Sequence, residues 1–284
     1  MTSNLKVYAI GASRNIGYYA SIRLLQKGAT VTFLLRKEHV FDGDATMQPF
    51  IESGRARLVQ GDALNKDDVQ RGWERAAEPA FEGDATSVDV LLFTVGGTPT
   101  FHLIKGMLIT PPDLVTHALF NTLTTLPSPP PSRIIAVTST GLSSASHNAL
   151  PLPMRPVYSY LLGPAHADKI GAEALLARAS GSVAPAKAPE NILQKGWEDT
   201  FNVPAGALAE KVVVVRPAML TDGKCVADTD PKAGKPPYRV RAEGDLPVQG
   251  GYTISRRDTA HFVAERLLGD EWDTWKGKGV ALAY

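Results

Sequence analysis

Val7–Gly17 reads VYAIGASRNIG, and the reading of this stretch decides the fold. Four apolar residues, Val7, Tyr8, Ala9 and Ile10, run into a turn with glycines at 11 and 17. A helical pattern then carries Tyr19, Ile22, Leu24 and Leu25. This is the succession of a buried strand, a tight loop and a helix N-terminus. Free backbone N–H groups and the positive end of the helix dipole meet at such a junction, where a pyrophosphate can sit. An ordinary strand-to-helix turn has the same local pattern, and this one lacks the G-x-G-x-x-G spacing, so the rest of the chain has to decide.

The next segment supports the ligand reading. Gly28 closes a helix over about residues 16–27, and Ala29–Leu35 (ATVTFLL) reads as a second buried strand, completing a βαβ unit. An Asp or Glu at the tip of that strand suits the ribose 2′-OH of NAD, whereas an Arg suits the 2′-phosphate of NADP. The tip here is Arg36-Lys37 with no acidic residue, and Arg14 in the glycine loop is a second basic residue expected to reach the same phosphate, which together favour NADP. Solvated charges ending a strand give the same pattern.

Composition bounds the rest. The 284 residues are 44% hydrophobic and 21% charged, enough for one α/β domain with a sizeable core. The net charge of +1 announces no nucleic-acid surface, so a small molecule is the expected partner, with the protein a monomer or homodimer. Cys225 is the single cysteine, which rules out an internal disulfide framework and cysteine-clustered metal sites; no metal is expected. Met1–Asn4 leads into the first strand without a signal pattern, and no apolar run approaches the ~18 residues of a membrane helix. A cytoplasmic protein with no membrane contact is the expectation.

Further strands follow in order. Ala56–Val59 ends in Gly61-Asp62, before a helix at about 66–77 that either Asn65 or Asp62 caps. Val88–Thr94 is near-continuously apolar, as a strand covered on both faces must be, and ends in Val95, Gly96 and Gly97. A helix from Thr110 to Leu123 stops before the proline run Pro127–Pro131, and Ile134–Thr138 opens the fifth strand. That strand ends in Thr138-Ser139-Thr140-Gly141, which puts hydroxyls at the carboxyl edge of the sheet, where ligands bind. Residues 180–209 read as an insertion on the substrate side with one short helix, and 223–251 as a second substrate-side loop. Between them Val212–Val215 is a buried strand. Thr253–Leu268 reads as an amphipathic helix capped by Asp258, and Gly279–Ala283 as a seventh strand.

GASRNIG resembles the TGxxxGxG loop of the short-chain dehydrogenase/reductase superfamily, with Gly11 and Gly17 in place, Ile10 for the threonine and Asn15 for the middle glycine. Asn tolerates left-handed backbone angles best among non-glycine residues, so the loop keeps its shape. RPAMLTDG resembles the RPxxLxD segment of atypical members, and ISRRD their ISRxDVA segment. The order of these motifs is similar to that of atypical, NmrA-like and biliverdin/flavin-reductase-like proteins. The resemblance implies a doubly wound parallel sheet, a Rossmann fold with helices on both faces, as one domain over 1–284. It implies NADP held by Gly11, Ser13, Arg14, Asn15, Ile16, Gly17, Arg36 and Lys37. Asp62 and Ala63 would meet the adenine, Val95, Gly96, Gly97 and Thr138 the ribose side, and Pro217, Ala218, Met219 and Leu220 the nicotinamide.

The resemblance also assigns Ser139 to the active-site serine and Lys169 to the lysine of Tyr-x-x-x-Lys. Four residues before Lys169 stands Ala165, not tyrosine. Tyr158 and Tyr160, read as part of a loop, and His166 are the alternative proton donors, beside Ser139 and water. The implied function is an NADPH-dependent reductase of a conjugated small molecule such as an enone, quinone or imine. An NADP-binding regulator without turnover, or a non-redox isomerase or cyclase, remains as the alternative.

Overall fold

Lys6–Ile10 (β1) is buried throughout, and its side chains alternate between two cores: Val7 and Ala9 enter one, Tyr8 and Ile10 the other. A strand with an apolar layer on each face has to be apolar along its whole length, which is why such strands read plainly in the sequence. The structure is a computed structural model that describes residues 4–81, 83, 85–98, 100–102, 106–142, 154–229, 237–242 and 251–284.

The strands are β1, β2 (Thr30–Leu35), β3 (Ala56–Gln60), β4 (Val90–Phe93), β5 (Arg133–Val137), β6 (Val212–Pro217), β7 (Arg239–Ala242) and β8 (Gly279–Ala283). They form one eight-stranded sheet in the order β7-β8-β6-β5-β4-β1-β2-β3. All neighbours pair in parallel except the edge pair β7–β8. The chain winds outward from β1 to β3, returns to β4 on the other side of β1, and continues outward again. The doubly wound α/β reading therefore holds, with its switch point between β1 and β4.

The helices that pack on the sheet include α1 (Asn15–Gln26), α2 (Lys66–Ala77), α3 (Leu114–Thr124), α4 (Met154–Ser180) and α5 (Arg256–His261). On one face α1, α5 and the π-turn Phe262–Leu267 cover the sheet through Leu24, Leu25, Val263 and Leu267. On the other, α2, α3 and α4 bring Trp73, Leu119, Leu175 and Leu176. Asn65, not Asp62, caps α2, accepting from the N–H groups of Asp67 and Asp68. The fully buried Asp168 of α4 accepts from the N–H groups of Val115 and Thr116 at 2.8 Å each, tying the start of α3 to the middle of α4. Its burial raises the Asp168 carboxyl above the usual range even so.

Four expectations change. The 223–251 stretch, expected as a loop, contains the turn of helix Val226–Thr229 and the sheet strand β7, where Val240 pairs with Leu282; residues 230–236 and 243–250 lie outside the described residues. Thr253–Ser255 is a strand, and Ser255 is the cap of α5, its hydroxyl accepting from Asp258 N–H at 2.9 Å. Asp258 is instead a buried hub that accepts from Tyr284 Oη at 2.6 Å and from Val226 and Ala227 N–H at 3.0 Å. The segment MRPVYSYLLGP is helical, the first turns of α4, with Pro164 inside the helix.

The 180–209 segment begins and ends at the amino edge of the sheet. Leu208 N donates to Ala179 O at 2.8 Å and Asn202 Nδ2 to Thr124 O at 3.4 Å, so it runs along the carboxyl ends of α4 and α3. Helices in such a fold run against the strands, so these ends lie opposite the ligand edge, whereas Ile192 in the middle of the segment stands beside Gly171 of α4 and Thr116 in the first turn of α3. Its only helical turn is Trp197–Asp199. No helix among the described residues is long and apolar enough to cross a membrane.

Candidate functional site

The carboxyl ends of β1 and β4 diverge at the switch point, and the glycine loop fills the opening. Gly11 has φ +80°, a conformation that an L side chain rarely adopts. A Cβ there would lie 2.5 Å from Val95 N and 2.6 Å from Val95 Cα, so the loops after β1 and β4 touch backbone to backbone. Asn15 takes the left-handed conformation, φ +57°, as its side chain permits. Arg14 caps α1 without a side-chain bond, and the first turn carries no acidic residue. The helix N-terminus is thus left to its own dipole and N–H groups, which is what an anion requires. Arg14 Nη2 reaches across to Thr98 Oγ1 at 2.6 Å. Ile16 turns its side chain into the core, Ser13 is half-buried, and Gly96 faces open space.

Beyond this loop, at the ends of β2 and β3, Arg36, Gln60, Gly61, Asp62, Asp68 and Arg71 line a cavity of about 350 Å³. The exposed Lys37 stands outside that lining. Asp68 accepts from Asp62 N–H at 2.8 Å and pairs with Arg71 at 2.8 Å, and these bonds hold its carboxyl below the usual range. Asp62 accepts from Leu64 N–H at 3.0 Å, and Ala63 O receives Asn121 Nδ2 of α3 at 3.1 Å, which fixes the loop after β3. Arg71 was not legible as a site residue in the sequence. Its only local signal is the three-residue spacing from Asp68 on α2.

On the other side of the switch point, Lys169 Nζ donates to Thr138 O at 3.1 Å, at the end of β5 and next to Ser139. Burial pushes its ammonium down to about 8, against the opposing pull of Asp168 and Glu173. Thr138 Oγ1 donates to Glu173 Oε1 at 2.6 Å, and Glu173 also receives Arg216 from β6, Nε to Oε1 at 3.0 Å and Nη2 to Oε2. Neither Glu173 nor Arg216 was legible as part of a site. Pro217 pairs with Leu282, Ala218 N donates to Leu282 O at 2.9 Å, and Met219–Thr221 pairs with Thr253–Ser255, so Pro217–Leu220 crosses the same carboxyl edge. Ala165 and the half-buried His166 precede Lys169 on α4. Tyr160 and Tyr158 lie nine and eleven helical residues before Lys169, about 13 and 16 Å along the axis. Their side chains lie outside the described residues.

A strand-order reversal with a close-packed glycine loop at it, and parallel strands covered by helices on both faces, define a doubly wound class of α/β protein. More narrowly, this chain has the fold of the short-chain dehydrogenase/reductases. A short-chain dehydrogenase from Burkholderia cenocepacia J2315, solved in complex with NADP, superposes with a TM-score of 0.59 over 99% of this chain and 96% of that one, at 17% identity. A blue fluorescent protein from a metagenomic library, solved with NADPH, gives 0.56 over 98% and 96%, at 19% identity. The oxidoreductase ylbE from Lactococcus lactis gives 0.57 over 98% and 90%, at 10% identity. In sequence, the chain is similar to the reductase pytE of Aspergillus terreus, 31% identical over 153 residues, which are 53% of this chain and 48% of that protein. The match thus spans about half the length of that curated relative. No family model matches the chain.

Proposed function

We propose that this protein is an NADP-dependent reductase of the short-chain dehydrogenase/reductase superfamily, of the atypical, NmrA-like kind, acting on a small conjugated molecule such as an enone, quinone or imine. The observation that carries the reading is the alignment of three features along one sheet edge: the uncapped α1 N-terminus, the Arg36 cavity, and Lys169 against the end of β5. The reductase name of the relative in Aspergillus terreus and the NADP-bound structural neighbours support it.

The residues present fit a dinucleotide phosphate. Backbone N–H groups of the glycine loop and α1 receive the pyrophosphate, and Arg36 with Arg71 meets the 2′-phosphate. Lys169 donates to the ribose hydroxyls, Ser139 orients the substrate carbonyl, and Pro217–Leu220 bounds the pocket on the nicotinamide side. The bound cofactor supplies the hydride. Proton delivery falls to Ser139, His166, Tyr160 or water, because Ala165 offers no hydroxyl one turn before Lys169.

That alanine also favours a second reading, an NADP-binding regulator without turnover. A panel of quinones and enones decides between them: oxidation of NADPH supports the reductase, and tight binding without oxidation across the panel supports the regulator. Cofactor choice has its own test. Arg36→Ala is expected to weaken NADPH by about tenfold to a hundredfold through loss of charge-assisted bonds, and NADH hardly at all. Equal losses for both nucleotides, or tighter NADH binding in the parent, would sink the NADP assignment.

A further inference from the structure

A buried ion pair sits one helical turn from Lys169, and stability alone does not account for it. Glu173 is 2% exposed and Arg216 9%. With Leu176 and Val214 they line a cavity of about 470 Å³, and replacing a buried ion pair by apolar residues of similar volume is often neutral or stabilising. The site is nevertheless shaped for the pair. Gly279 on β8 has no side chain, and a Cβ there would stand 2.5 Å from Arg216 Cζ, so the glycine leaves room for the guanidinium. Of the two Glu173 oxygens, one is shared between Arg216 and the Thr138 hydroxyl. Thr138 is in turn the residue whose carbonyl receives Lys169.

We propose that Glu173 and Arg216 form a positioning pair for Lys169 that acts through Thr138. The inference rests on the reading of Lys169 as the group that meets the cofactor. Thr138 is held on three sides, by its N–H to Val215 O at 2.9 Å, by its hydroxyl to Glu173, and by Lys169 at its carbonyl. Arg216 fixes the carboxylate, the carboxylate fixes Thr138, and Thr138 fixes the direction of the ammonium. Glu173 also acts by charge. Among the described residues, the charges that reach Lys169 are Asp168 and Glu173 on its own helix. Asp168 is bound to the start of α3, where Asp113 also acts on it, and Thr138, just past β5, contributes a carbonyl. From β6, Arg216 lies behind Glu173. Loss of the Glu173 charge therefore removes one of two groups that keep the amine protonated.

The test uses Glu173→Gln and Thr138→Val, with melting as the check on folding. NADPH affinity is measured against pH, and the pH profile of Lys169 acylation in the nucleotide-free protein is read by peptide mass spectrometry. In Glu173→Gln both profiles are expected to move to lower pH than in the parent, because the uncharged amide no longer favours the ammonium. Thr138→Val keeps the ion pair and its charges, so it should weaken NADPH about fivefold without moving the acylation profile. Should Glu173→Gln fail to fold, the Thr138→Val arm still decides: unchanged affinity in the folded variant overturns the inference. So do unmoved profiles in a folded Glu173→Gln protein, which would leave the pair a purely structural one. Absence of NADPH binding in the parent overturns the functional reading instead, and the acylation profile of Glu173→Gln then decides the role of the pair.

Discussion

Lys169→Met is expected to lower turnover by about a hundredfold and to weaken NADPH by about tenfold or more, the two losses appearing together. Met keeps the length of the buried stem and removes the three N–H donors, so the loss belongs to the ammonium and not to packing. One donor is engaged by Thr138 O, which leaves two for the ribose hydroxyls. Because burial pulls Lys169 down to about 8, the amine is charged below that pH and becomes neutral as pH rises through it. NADPH affinity in the parent should therefore fall above about pH 8, and in Lys169→Met this fall should vanish. Lys169→Arg, charged at every accessible pH, should also abolish the fall while keeping part of the affinity. Titration of NADPH from pH 7 to 9.5 with all three proteins makes the comparison. An unchanged affinity and rate in a folded Lys169→Met protein would remove Lys169 from the site.

The sheet was legible where burial on both faces forces an unbroken apolar run. β1, β2 and β6 are buried at every position, and each stood out in the sequence. β7 did not, because RVRA is an edge strand whose alternate residues are arginines, the usual protection of an exposed edge. The first turns of α4 were hidden for a different reason. Pro156, Gly163 and Pro164 are local helix breakers, yet the helix runs through them, with the short strand Gly106–Leu108 packed against it. Tertiary packing overrides a local penalty there, as it often does.

The candidate site divides in the same way. The glycine loop and Arg36 carry local patterns that a single sequence displays, whereas Lys169 was singled out only by the resemblance, its motif lacking the tyrosine. The Glu173–Arg216 pair is 43 residues apart along the chain, and the Asp168 bond to Thr116 spans 52. Contacts of that range leave no periodicity to read. Glu173 falls four residues after Lys169 on α4, a spacing that puts the two on one helix face, but only the register of β5 against β6 shows what it meets.

Gly11→Val should abolish nucleotide binding and also lower the melting temperature, for two separable reasons. The first is backbone conformation: at φ +80° a β-branched residue is strained by about 1–3 kcal/mol. The second is space, because the new Cβ would lie 2.5 Å from Val95 N, 2.6 Å from Val95 Cα and 2.7 Å from Thr94 C. These are backbone atoms at the end of β4, which cannot swing aside as a flexible side chain does. The loops after β1 and β4 would have to part, and the anion site at the α1 N-terminus would open with them. Gly54→Ala supplies the control, since Gly54 has a similar φ of +74° but no atom within 4 Å of the added carbon. It should cost only the conformational term, about 1 kcal/mol, and leave NADPH binding at the parent value. The two variants and the parent are compared by melting and by NADPH titration. If Gly11→Val melts and binds like Gly54→Ala, the backbone contact between the two loops is not what shapes the nucleotide site.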